Sequence, residues 1–189
     1  MSGSGPANYA ESERSLRGYA DVAKAWGLPL TLFVHPEVAA RNRALVLELE
    51  AQGACLGLHL HPYKFVRGDY RYDVGAYSPA QQRDMFTRAG QIWEEALGKS
   101  PRYFRAGYFS ANDSTYRVLA ELGFRGGSLS IPGRILPSHH SVWAGAEPYP
   151  HRAHLDFRQL AGDSNFFEVP IAVDFQQPHL RGHAGDQGF

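Results

Sequence analysis

His59-Leu60-His61 places two imidazoles two residues apart. In an extended strand that spacing sends both rings to one side. Two neutral imidazoles side by side can bind one divalent ion, most often zinc. Two ligands do not complete a catalytic centre. A third, usually a carboxylate or another His, must come from elsewhere and leave a position for water. His35 is a candidate for it, against the plainer reading of a polar residue opening a helix beside Pro36. Arg105, read by itself, is a surface salt-bridge residue. His139, His140, His151 and His154 fall in a Pro-rich stretch, where a lid or simple solvation is expected. A single cysteine, Cys55, excludes an internal disulfide and any multi-cysteine zinc cluster.

These residues need a scaffold, and its elements follow from periodicity. Residues 12–26 predict a helix with Leu16, Tyr19, Ala20, Ala23 and Trp26 on one stripe, ended by Gly27 and Pro29. The apolar run from Leu30 through Val34 suits a buried strand, and Pro36 opens a helix to about Gln52 with Val38, Leu45, Val46 and Leu49 inward. Residues 55–61 alternate: Leu56, Leu58 and Leu60 share one face, and Cys55, Gly57, His59 and His61 the other. Pro62 closes that strand. Residues 63–77 predict a long loop carrying Tyr63, Phe65, Tyr70, Tyr72 and Tyr77, aromatic rings of the kind that stack on a sugar's apolar face. Ser78-Pro79-Ala80-Gln81 is a capping box opening a helix to Leu97, buried through Met85, Phe86, Ala89, Ile92, Trp93 and Leu97. Then come a strand at 103–106, a helix at 114–122 capped by Asn112 or Asp113, a strand at 124–130, an irregular stretch at 131–165 and a last strand at 166–175. Residues 1–11 form a polar N-terminal segment and 176–189 a tail, leaving 12–175 as the folded domain.

Helices alternating with strands across short links imply parallel β/α units, so the fold class is α/β. Such folds gather ligands at the carboxyl ends of their strands, where His35, His59, His61 and Gly107-Tyr108 all fall. With 43% hydrophobic and 20% charged residues the chain is globular. Nineteen basic residues against nineteen acidic give no global pull toward nucleic acid or an anionic membrane. No apolar run reaches the roughly 18 residues of a membrane span. Met1 to Ala10 shows no signal-peptide pattern, so a cytoplasmic location is expected.

Thr31-Leu32-Phe33-Val34, a helix, and then Gly57-Leu58-His59-Leu60-His61-Pro62 resemble successive units of the NodB-homology polysaccharide deacetylases. Phe104-Arg105-Ala106-Gly107-Tyr108, Asn112-Asp113 and the segment Leu119-Ala120-Glu121-Leu122-Gly123-Phe124 are similar to that family's third motif and following helix. The resemblance spans residues 12–130 and implies a distorted (β/α) barrel, here incomplete, that hydrolyses acetyl groups from N-acetylated sugars with a divalent metal, expected to be zinc. It implies that His59 and His61 are the metal histidines, that Arg105 orients a carboxylate base, and that the Tyr108 backbone N–H holds the oxyanion. Tyr63 and Tyr108 are the expected substrate-binding residues. The family's usual histidine spacing is four, Pro is usual at position 107, and its paired Asp motif has no counterpart in Met1 to Glu11, so an N-terminally truncated, impaired enzyme is expected. Neither His179 nor His183 sits in a strand pattern suited to the family's late acid. Two other readings are a barrel hydrolase of the amidohydrolase or PHP type and a non-catalytic carbohydrate-binding remnant. A carbohydrate is the expected partner, with no nucleic acid and no membrane.

Overall fold

A computed structural model describes residues 8–65 and 69–175. The expected tail at 176–189 and residues 1–7 of the expected N-terminal segment lie outside them. The framework is a parallel sheet built from β1 (Thr31–Val34), β2 (Cys55–Leu60), β3 (Tyr103–Ala106), β4 (Gly126–Gly127) and β8 (Phe167–Glu168), with β7 (His151–Arg152) antiparallel at one edge. A small hairpin of β5 (Ile135–Leu136) and β6 (Ser141–Val142) stands apart. The strand order is β1-β2-β3-β4-β8-β7, and no closed barrel forms among the described residues. β1 remains a sheet edge. No described helix is long and apolar enough to cross a membrane.

The pleat sorts side chains to two unlike faces. Leu32, Leu56, Leu58, Leu60, Phe104 and Ala106 are buried on one face. Against it pack α2 (Pro36–Arg41), α3 (Arg43–Ala51), α4 (Pro79–Leu97) and α5 (Thr115–Glu121). α4 is the central helix, burying Met85, Phe86, Ala89 and Trp93. Its capping box forms as the sequence predicts: the Ser78 hydroxyl accepts from the Gln81 N–H and the Gln81 side chain accepts from the Ser78 N–H. The other sheet face carries Thr31, Phe33, Cys55, Tyr103, Arg105, Phe167 and Val169 around a depression of about 280 Å3.

Several elements depart from the sequence expectation. α1 (Tyr9–Ala25) starts inside the expected polar segment, because the Asn8 side chain accepts from the Ala10 and Glu11 N–H groups and caps it there. Its stripe is not buried throughout: Tyr19 is 65% and Trp26 78% exposed, and Ala23 is the buried contact. The single helix expected at 36–52 is two, broken at Asn42, whose side chain donates to the Val38 carbonyl. The strands expected at 124–130 and 166–175 contract to two residues each. The aromatic loop contains two short 3₁₀ turns, Pro62–Lys64 and Val74–Ala76. Phe65, Tyr70 and Tyr77 are core rather than sugar-facing residues, leaving Tyr63 and Tyr72 exposed.

Candidate functional site

At the carboxyl end of β2, His59 lies opposite Arg105 in the β2–β3 register. Its Nδ1 donates to the Arg105 carbonyl at 2.9 Å. A carbonyl only accepts, so the proton sits on Nδ1 and the Nε2 lone pair is left for a ligand, the arrangement that orients metal-bound imidazoles. His61 follows directly after the strand, its ring centroid 4.8 Å from that of His59 and its plane turned by 87°. Burial first, then the charges of His59 and Lys64, push His61 down to about 3 from an ordinary value near 6.5. Burial also lowers His59, partly offset by the bond to the Arg105 carbonyl. Both rings are therefore neutral at neutral pH, the state in which imidazole binds a metal.

Gly107 sets where His61 stands. A Cβ there would meet the His61 ring at 2.2–2.6 Å, so only glycine lets the ring lie on this backbone. His61 Nδ1 is buried with no hydrogen-bond partner. The ring's other neighbours are Tyr63 at 5.7 Å and Tyr108 at 5.5 Å, both edge-on. Burial and then the adjacent Tyr108 raise the Tyr63 phenol to about 12. Tyr108 and Phe109 are held at φ 53° and 56°, a conformation costly for aromatic residues. The Trp143 indole pins this corner by donating to the Phe109 carbonyl at 2.8 Å.

His35 lies between β1 and α2, at the N-cap position of the helix, and is 4% exposed. Neither ring nitrogen has a partner of hydrogen-bonding geometry. Burial, then His59 and Lys64, lower it to about 4, with only a small opposing effect of the His61 backbone. The donor chemistry of His59 and His61 suits zinc, but no group of three His, Cys, Asp or Glu converges on one point among the described residues. His35 lies within electrostatic range of both histidines without completing a ligand set.

Arg105 points its guanidinium at the turn after β4. Its Nε donates to the Ser128 carbonyl at 3.2 Å and an Nη to the Ser128 hydroxyl at 2.7 Å. Phe33 and Phe109 flank the guanidinium at 4.5 and 5.3 Å. Among the described residues no carboxylate forms an ion pair with it. Burial lowers its pKa, partly offset by the charge of Glu168.

The family model described as polysaccharide deacetylase matches residues 8–127. The chain belongs to the polysaccharide deacetylase family. Among solved structures, this deacetylase-family chain is similar to a protein described as a polysaccharide deacetylase from Mycobacterium smegmatis, with a TM-score of 0.56 and 22% identity, covering 87% of this chain and 50% of that one. PuuE allantoinase aligns with a TM-score of 0.52 and 20% identity over 87% of this chain and 48% of its own. IcaB from Ammonifex degensii gives 0.50 and 16%, over 85% and 63%. At these identities the likeness is one of fold, and the chain spans about half the length of the first two. No curated protein matches.

One pair in this deacetylase-family site escapes sequence reasoning. His139 stacks on Tyr108 at 3.9 Å and 22°, and its Nδ1 donates to the buried Asp73 carboxylate at 2.8 Å. Asp73 and His139 lie 66 positions apart in stretches without periodicity, so no local pattern joins them. A depression of about 670 Å3 lined by Glu50, Lys99, Arg102 and Arg125 sits at the opposite strand ends, where parallel sheets do not gather ligands.

Proposed function

We propose that this chain is a metal-dependent hydrolase that removes acetyl groups from N-acetylated sugars or polysaccharides. The observation that carries this reading is the pair His59 and His61: two neutral imidazoles with adjacent rings at the carboxyl end of a parallel strand, bordered by Tyr63 and Tyr108. A divalent ion, with zinc the expected one, would be held by His59 and His61 and would supply Lewis acidity and an activated water. The Arg105 carbonyl keeps His59 in the tautomer that presents Nε2 outward. Tyr63 and Tyr108 offer half-exposed rings for a sugar's apolar face. Asp73 holds His139 so that its Nε2 can accept or return a proton where an amine departs.

A second reading, glycan binding without turnover, draws support from Arg105, which bonds Ser128 rather than a carboxylate. Acetate release from N-acetylglucosamine oligomers distinguishes the two. Hydrolysis that stops with a chelator and returns with zinc supports deacetylation. Zinc bound without acetate release, or release indifferent to the chelator, contradicts it.

A further inference from the structure

Glu168 is a carboxylate with no exposed surface. Enclosing such a group is costly unless donors replace the water it loses. Its Oε1 accepts from two consecutive backbone N–H groups, Leu129 at 2.7 Å and Ser130 at 2.9 Å. Both donors belong to the turn that leaves β4, and both residues are buried, Leu129 at 0% and Ser130 at 1% exposure. Without Glu168 these two amides would face no solvent and lose their acceptor. The buried Tyr116 hydroxyl lies alongside the same carboxylate.

The turn that Glu168 grips begins with Ser128, whose carbonyl and hydroxyl accept both Arg105 side-chain hydrogen bonds. The Arg105 carbonyl in turn accepts the His59 Nδ1 proton. One polar thread thus runs from Glu168 through Leu129 and Ser130 to Ser128, then to Arg105 and His59. An apolar residue at 168 would pack the β4–β8 pair as well. What a carboxylate adds is a fixed position for the segment that orients the guanidinium. The turn has other anchors: the Ser128 N–H to the Phe104 carbonyl at 3.1 Å, and the Val169 N–H to the Gly127 carbonyl and the Ile171 N–H to the Ser130 carbonyl, both at 2.9 Å. They hold its two ends and leave the Leu129 and Ser130 amides to Glu168.

We propose that Glu168 is a positioning residue that fixes Arg105 beside the His59–His61 site by anchoring the Ser128–Ser130 turn. The catalytic meaning rests on the deacetylase reading; the geometry does not. The test reads the Arg105 side chain directly, through its Nε–Hε signal in ¹⁵N-labelled protein, assigned by its loss in Arg105→Lys. In the wild type this proton, bonded to a buried carbonyl, exchanges slowly with solvent. Glu168→Ala is expected to speed that exchange by about tenfold or more, and Glu168→Gln, which keeps an acceptor oxygen, to restore slow exchange. If Glu168→Ala does not fold, Glu168→Leu removes the acceptor while filling its space and is expected to speed exchange likewise. An unchanged Arg105 signal in the Ala or Leu variant, or disruption by Gln equal to that by Ala or Leu, overturns the proposal. Neither measurement needs metal or turnover. A deacetylase that fails in assay but shows the Glu168 effect loses its function and keeps this architecture; the reverse pattern separates the two just as cleanly.

Discussion

The absence of one methyl group determines how His61 can stand. Gly107 has no positive φ, so alanine suits its backbone, and the whole cost of Gly107→Ala lies in the clash with the imidazole. Over-packing of this kind costs about 1–3 kcal/mol. The expected outcome is that loss in a denaturation midpoint, together with zinc affinity about tenfold weaker as His61 is pushed from His59. Wild-type zinc affinity in the alanine variant would show that His61 placement does not depend on Gly107. Position 107 also illustrates what a residue pattern can and cannot reveal. The Gly in place of the family's usual Pro is visible in the sequence, but its reason is the ring of His61, which follows the neighbouring strand. His59 and His61 were legible because strand alternation is a local rule. Asp73–His139 and Glu168–Ser130 were not, because each joins segments that meet only after folding.

Among the elements, those read well from sequence are bounded by strong local signals. β2 alternates and is closed by the nearby Pro62, β3 is followed by Gly107, and α4 carries a capping box. Those read poorly are decided by competing polar contacts. Asn42 bonds its own helix's carbonyl and breaks the 36–52 segment. The strand after Phe124 ends just past Gly127: the Ser128 N–H still reaches the Phe104 carbonyl of β3 at 3.1 Å, but the next two amides, Leu129 and Ser130, turn to Glu168. Asn112 is the hub of such contacts. Its amide donates to the Gly75 and Tyr77 carbonyls at 3.0 and 2.9 Å, and its Oδ1 accepts from Gln82 and from the Ser114 N–H, each at 3.0 Å. It ties the start of α5 to α4 and to the segment that presents Asp73. Asn112→Ala is expected to cost about 2–4 kcal/mol by leaving these partners unpaired. It should also raise amide exchange across residues 72–77 ahead of the rest of the chain. Loss of stability without that local exchange would separate Asn112 from the Asp73–His139 pair.

At the scale of the molecule, helices cover one sheet face, while the other, among the described residues, carries Arg105, Tyr103 and Phe167 around an open depression. The alternation of helices and strands announced the parallel sheet. It could not announce the open face, since a strand's periodicity reports two chemically distinct sides and not what lies over each. The proposed site lies at one end of this sheet, the carboxyl end of β1, β2 and β3, which His35, His59, His61 and Tyr108 follow or close. Calorimetric titration with zinc, comparing the wild type with the His59→Ala, His61→Ala double variant, bears most directly on that site. A metal centre there predicts a single saturable zinc in the wild type, abolished in the double variant while the fold persists. Stoichiometric zinc binding that survives loss of both histidines would contradict it.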